Sequence, residues 1–113
     1  MNLGRFEEAK SVLRKIVPVA RRVLGESDGV MLKMRGSYAE ALYRADGATP
    51  ADLHEAVTTL EEIEPTARRV LGSAHPYAAQ IERQLQQSRV VLRARDGTAA
   101  VDALREAVAA LGK

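Results

Sequence analysis

Residues 8–25 read EAKSVLRKIVPVARRVLG, and residues 55–72, which begin 47 positions later, read EAVTTLEEIEPTARRVLG. The two stretches share a glutamate–alanine start, a central proline and the ending ARRVLG. In both, the apolar residues are alternately three and four positions apart, which places them on one face of an α-helix. A repeat of this period with helical spacing is typical of a solenoid, in which each unit covers its apolar face by stacking on the next.

Start and stop signals around the repeated unit divide the chain into five predicted helices. Gly25, Asp46-Gly47, Gly72 and Asp96-Gly97 are helix stops, whereas Ser27 or Asp28, Thr49-Pro50, Pro76 and Thr98 are helix starts. The predicted helices span about residues 5–24, 29–45, 50–71, 76–95 and 98–111. The last contains Glu106-Ala107-Val108-(x2)-Leu111, a weaker third copy of Glu55-Ala56-Val57-(x2)-Leu60.

The connections between these helices are short, which makes consecutive helices antiparallel neighbours. The prediction is therefore an all-α protein, a single domain over residues 1–113, built as a short right-handed α-solenoid of about five stacked helices. Its expected core includes six aliphatic side chains: Leu13, Ile16, Leu60, Ile63, Ile81 and Leu85.

Pro18 and Pro65 occupy the same position in the two copies of the repeat. Proline inside a helix removes a hydrogen bond and crowds the carbonyl four residues earlier, at a cost of about 3 kcal/mol. One interpretation is a kink that sets the curvature of the stack. The alternatives are a split of each long helix into two, or simple inheritance by duplication.

Composition narrows the function classes. The chain has 113 residues, a net charge of +2 and no cysteine, which excludes disulfides and thiolate metal sites and is compatible with a reducing compartment. It contains no apolar run near the roughly 18 residues of a membrane span and no apolar signal-peptide region. We expect a soluble protein of the cytoplasm that has no contact with membranes.

The chain shows no enzyme signature. His54 and His75 are its only histidines, and neither has a second ligand three or four positions away. A nucleophile elbow, a glycine-rich phosphate loop and an HExxH motif are absent. We therefore predict no catalytic activity, no metal and no cofactor, and we interpret His75 as a helix cap or loop-packing residue.

Positive charge gathers on the fourth predicted helix, at Arg83, Arg89, Arg93 and Arg95. RNA can be bound by such clusters, but no aromatic side chains are interleaved with this one. A solvated helix face is the simpler interpretation, with recognition of an acidic peptide as an intermediate one. Nucleic acid is not expected as a partner.

Three local motifs resemble a known repeat family. Gly4-Arg5-Phe6-Glu7-Glu8-Ala9 is similar to the turn into the second helix of a tetratricopeptide repeat, and Leu42-Tyr43-(x3)-Gly47 is similar to the end of its first helix. Leu71-Gly72-Ser73-Ala74-His75-Pro76 resembles the link of the long repeats found in kinesin light chains. Together they cover nearly the whole chain as about two and a half units. The resemblance implies a helical module for protein–protein interaction.

The resemblance also suggests a binding surface, because the first helices of tetratricopeptide units line the concave side of the array. The corresponding positions here form two stripes 47 residues apart: Lys33, Ser37, Glu40 and Arg44, then Gln80, Gln84, Gln87 and Val91. Long polar side chains at such positions can hydrogen-bond an extended peptide. A merely solvated face is the alternative interpretation.

Two functions follow from these observations. The first is a scaffold-like module that binds a peptide or helix on its concave face or end helices. The second is a structural piece that is packed permanently in a larger assembly or in a self-stacking array. The ends favour association, because Phe6 and Val12 have no preceding helix to cover them and the last predicted helix is rich in alanine.

Overall fold

The computed structural model describes residues 4–112, which form four α-helices and, within that range, no strand. They are α1 (Gly4–Leu24), α2 (Gly29–Arg44), α3 (Pro50–Leu71) and α4 (Pro76–Leu111). Each consecutive pair packs together, and α2 also touches α4. The predicted all-α stack of neighbouring helices is confirmed.

Side-chain caps fix the helix starts. Asp28 begins α2 by accepting hydrogen bonds from the backbone N–H groups of Val30 and Met31, at 2.8 and 3.3 Å. Thr49 and Asp52 form a reciprocal capping box at the start of α3. His75 Nδ1 accepts from the Tyr77 N–H at 3.0 Å, so its interpretation as a helix cap is confirmed.

The core lies where α3 is covered on both sides by α2 and α4. Leu60, Ile63 and Ile81 are fully buried there, and Leu85 is buried as well, as predicted. The prediction is wrong for Ile16, which is 44% exposed, and only partly right for Leu13, which is half-buried. Both lie on α1, whose backbone packs closely against α2 alone among the described helices and which reaches α3 only through polar side chains, so one side of its apolar face has no cover.

The predicted break at Asp96-Gly97 does not occur, and the expected fourth and fifth helices form one helix, α4. The comparable stop at Asp46-Gly47 is followed by Thr49-Pro50, where proline forces the preceding residue out of the helical conformation. No proline follows Gly97. A helix can continue through a glycine at a cost of about 1 kcal/mol, so the chain stays helical.

Pro18 and Pro65 lie inside continuous helices, which rules out the interpretation that each long helix is split. Both prolines are exposed. Water can therefore reach the carbonyl groups of Arg14 and Glu61, which the missing N–H groups leave without a helical donor.

The second half of α4 extends beyond the packed body. All the described side chains in residues 93–112 are exposed, and the molecule measures 60 × 29 × 28 Å. No helix of the described part is long and apolar enough to cross a membrane.

Candidate functional site

The two predicted binding stripes lie side by side because α2 and α4 are in contact. Gln84 donates a hydrogen bond to the Glu40 carboxylate at 3.3 Å. The Tyr43 hydroxyl, next to Glu40 on the same turn of α2, donates to Gln87 Oε1 at 3.1 Å. Polar side chains from two repeats thus form one continuous surface, which we call the α2–α4 surface.

The close approach of these helices depends on Gly36. A Cβ atom at this position would lie 2.6 Å from the Tyr77 hydroxyl oxygen, well inside van der Waals contact. That hydroxyl donates to the Leu32 carbonyl at 3.4 Å, and the Lys33 ammonium lies 6.0 Å from the centre of the Tyr77 ring. The absence of a side chain at residue 36 lets α4 place its first aromatic residue directly on α2.

The eight predicted groove residues differ in accessibility. Six are exposed, Glu40 is half-buried and Gln84 is buried; the exposed ones are Lys33, Ser37, Arg44, Gln80, Gln87 and Val91. Arg44 is partly engaged, because its guanidinium group lies 5.0 Å from the centre of the Phe6 ring and 3.4 Å from Glu40. The groups available to a ligand are therefore concentrated at Lys33, Ser37 and Gln80, together with the side-chain NH₂ of Gln87, whose Oε1 accepts from Tyr43.

An apolar hollow adjoins the polar part of the α2–α4 surface. It is open to solvent, has a volume of about 430 Å³, and is lined by Tyr43, Gln86, Gln87, Val90 and Val91. The groove stripes included two of these residues, Gln87 and Val91. A surface with polar side chains beside an apolar hollow can bind the backbone and one apolar side chain of a ligand together.

The tyrosines of the surface remain protonated at neutral pH. Burial raises the pKa of Tyr77 to about 12, and the nearby Glu40 carboxylate adds to the effect. Burial, followed by Glu40, also raises the pKa of Tyr43. Both hydroxyl groups are therefore hydrogen-bond donors across the physiological range, and neither is poised for proton transfer.

A second polar cluster, not predicted from the sequence, lines a cavity of about 330 Å³ between α1, α2 and α3. The Tyr38 hydroxyl donates to Glu55 at 2.7 Å and accepts from Arg14 Nε at 3.1 Å. Burial and the Glu55 carboxylate raise the pKa of Tyr38. One signal was available in the sequence: Tyr38 is at helical spacing from the apolar residues Met31, Met34, Ala41 and Ala45, which predicts burial, and a buried hydroxyl needs partners.

Two of the four arginines on the fourth predicted helix have structural partners. Arg89 pairs with Glu61 on α3 at 3.0 Å, and Arg95 donates to the Ala48 carbonyl at 3.1 Å. His54 is exposed on α3. Among residues 4–112, no three His, Cys, Asp or Glu side chains lie close enough to hold a metal ion.

Comparison with known proteins adds one finding. A family model described as tetratricopeptide repeat matches residues 1–28, which include α1 and the turn that follows it. The match supports a tetratricopeptide repeat at this end of the chain, and the sequence of residues 8–25, within the matched range, recurs at residues 55–72. No curated protein and no solved structure matched the chain.

Proposed function

We propose that this chain is a non-catalytic protein-interaction module of tetratricopeptide type, which binds an extended peptide along the α2–α4 surface. The support is the contact between the two stripes, at Glu40 with Gln84 and at Tyr43 with Gln87. These contacts turn positions 47 residues apart in the sequence into neighbours. Tetratricopeptide repeats generally bind protein partners, and the family match at residues 1–28 supports that class of function.

The chemistry of the surface favours an extended ligand. Exposed Gln80 carries an amide group that both donates and accepts, and the amide NH₂ of Gln87 can donate while its oxygen accepts from Tyr43, so both can pair with a peptide backbone irrespective of its sequence. Lys33 adds a positive charge, which suits an acidic side chain of the ligand. The hollow beside Val91 suits an apolar one.

Two finer features belong to the same proposal. The link from Gly72 to Pro76, with Gly72 at a φ of 93° and His75 as the cap of α4, supports a long repeat similar to that of kinesin light chains. The cysteine-free composition is compatible with the cytoplasm as the place of action.

The proposal can be tested by selecting a phage-displayed library of random twelve-residue peptides on the immobilised protein. Enriched peptides are then synthesised, and their affinity is measured by fluorescence anisotropy. Charge reversal at Lys33→Glu together with Arg44→Glu is expected to weaken binding at least about tenfold, which corresponds to about 1.4 kcal/mol. The loss should change with salt concentration, because both side chains are exposed.

The matched control is Lys15→Glu together with Arg22→Glu. It makes the same charge change at exposed positions of α1, the helix that carries none of the eight groove residues, and should leave affinity within a factor of about three. His54→Ala and His75→Ala should also leave it within a few-fold. Equal losses in the control pair, or a selection that enriches no peptide, would contradict peptide binding at this surface.

A second candidate function is a structural role within a larger assembly, and the surface of α1 favours it. Val12, Ile16, Val19 and Val23 are all exposed and lie on one stripe of this helix. In α3 the position equivalent to Ile16, Ile63, is covered. A failed peptide selection would favour this candidate over the first.

A further inference from the structure

The projecting half of α4 carries an apolar stripe that nothing in the described structure covers. Its six members alternate spacings of three and four: Ala94, Gly97, Val101, Leu104, Val108 and Leu111. We call this stripe the tail seam. Its large side chains are strongly exposed, with Leu104 at 66% and Leu111 at 86%.

The last part of α4, which carries three residues of the tail seam, repeats the buried face of α3. Leu53, Ala56, Val57 and Leu60 recur 51 residues later as Leu104, Ala107, Val108 and Leu111. In α3, Leu53, Ala56 and Leu60 are completely buried and Val57 is partly buried. The same residue types in the same order are exposed in the tail, so this face has the composition of a packed helix and lacks a partner.

The chain's own α4 offers a poor partner for a tail that folds back. Leu32, Ala39 and Leu42 form part of the buried surface of α2. The positions 47 residues later on α4 are Ala79, Gln86 and Arg89. A returning tail would meet an amide and a guanidinium group where α3 meets leucine and alanine.

The exposed stripe of α1 on another copy is also a poor partner. It runs through Val12, Ile16 and Val19 and is flanked by Lys15 and Arg22. The charged side chains beside the tail seam are also basic, namely Arg93 and Arg105. Seating the tail on α1 brings like charges together, which disfavours that pairing.

We propose that the tail seam pairs with the tail seam of a second copy, as a parallel two-stranded coiled coil. Spacings that alternate between three and four residues define the heptad positions a and d. Ala94, Val101 and Val108 then occupy a, and Gly97, Leu104 and Leu111 occupy d. Valine at a with leucine at d is the combination that favours two parallel strands.

The flanking residues are compatible with this arrangement. In a parallel pair, each g position faces the e position five residues later on the other strand. Arg93 then meets Thr98 of the second copy, and Ala100 meets Arg105. No like charges face each other across the seam, and the two-fold contact closes at two copies. The pairing involves none of the eight groove residues, so it does not depend on the proposed peptide binding.

The experiment uses engineered cysteines, because the chain has none of its own. Val108→Cys is placed at a, so in a parallel pair it faces the cysteine at position 108 of the second copy. The two should form an intermolecular disulfide under mild oxidation. Glu106→Cys is the matched control, two residues away at the position opposite the seam, and should cross-link at least about tenfold less. An antiparallel pair centred on the seam would separate the two thiols introduced at position 108 by about 16 Å along the axis, given a rise of 1.5 Å per residue, and would form no such disulfide.

Light scattering over a range of concentrations gives a second, independent readout. The wild type should change from one copy at low concentration to two at high concentration. The variant with Leu104→Lys and Val108→Lys should remain at one copy. Its helical circular dichroism and its unfolding should be retained, because both side chains are exposed and lie outside the packed body.

Three outcomes would overturn the proposal. They are a wild type with the mass of one copy at every concentration up to the millimolar range, equal cross-linking at residues 106 and 108, and an oligomer that survives the double lysine substitution. If one of these outcomes occurred while a peptide still bound the wild type and the double lysine variant alike, the groove proposal would stand and this one would fail.

Discussion

Ile16 and Ile63 occupy the same position in the two copies of the repeat but have different surroundings. Ile63 lies between α2 and α4 and is 1% exposed, whereas Ile16 faces the uncovered side of α1. The two residues have identical chemistry and equivalent helical positions, so they form a matched pair for measuring how much burial contributes to the free energy of unfolding.

We expect Ile63→Ala to lower the free energy of unfolding by about 2 to 5 kcal/mol, because it removes buried methyl groups and leaves a cavity. Ile16→Ala should lower it by less than about 1 kcal/mol, since water already reaches this side chain. Urea unfolding followed by circular dichroism measures both. Equal losses would mean that α1 is covered on both sides in solution.

Asp52 links the start of α3 to α1. Burial would raise the pKa of this carboxyl group, but the Thr49 N–H and the Lys10 ammonium bind the charged form and lower the pKa overall. The Lys10 nitrogen lies 3.4 Å from Asp52 Oδ2. A carboxyl group with a lowered pKa in the folded state stabilises the fold in its ionised form.

We therefore predict a pH-dependent effect of Asp52→Asn. Its stabilising charge is present above the unfolded pKa of about 3.9 and is lost as the pH falls through that value towards the lower folded pKa. The variant should be less stable than the wild type by about 0.5 to 1 kcal/mol at pH 7. The difference should shrink towards zero near pH 2. A constant difference across this range in urea unfolding would exclude the carboxylate as its source.

Among the helices, the contact between α2 and α4 is the one that builds the proposed groove. It depends on the close approach of Gly36 to the Tyr77 hydroxyl. Two opposing effects meet at residue 36. Alanine is a better helix former than glycine by about 1 kcal/mol, but its Cβ would clash with that hydroxyl.

A double-mutant cycle separates the two effects. Gly36→Ala alone should destabilise the fold or be neutral, since the clash offsets the gain in helix propensity. In a Tyr77→Phe background the nearest remaining ring atom is 3.7 Å from the new Cβ, so the same change should be stabilising by up to about 1 kcal/mol. The coupling between the two sites should exceed about 1 kcal/mol in urea unfolding. Additive effects would mean that the two helices are not this close.

At the scale of the whole molecule, the internal repeat was sufficient to predict the order of α1, α2, α3 and the first half of α4, and the packing of each against the next. The stripes that meet where α2 touches α4 came from the resemblance to tetratricopeptide repeats and not from the internal repeat. The internal repeat did not predict which apolar faces are covered, because it gives α1 and α3 the same pattern while only α3 has a helix on each side. Ile16 and Val12 are exposed because α1 has fewer neighbouring helices than α3. The apolar pattern of one helix does not show how many helices will pack against it.

The break expected at Asp96-Gly97 shows a second limit. Asp-Gly is a stop signal by residue preference, yet the residues after it decide whether the helix ends. Before α3, Pro50 enforces the stop, whereas after Gly97 the next residues are helix-compatible. The Tyr38 cluster shows a third limit, because its three members come from three helices and become neighbours only once those helices are packed.

Because α4 is continuous, the number of residues between the groove and the tail seam sets the angle between them around the helix axis. The helix runs from the groove residues to the tail seam without a hinge, and each residue turns it by about 100° and advances it by about 1.5 Å. One alanine inserted between Arg93 and Gly97 would swing the seam a quarter turn or more around the body of the molecule. Seven inserted residues would bring it back to within about 20° and move it outward by about 10 Å. The direction in which the tail seam faces is therefore set by how many residues separate it from the groove residues on α4.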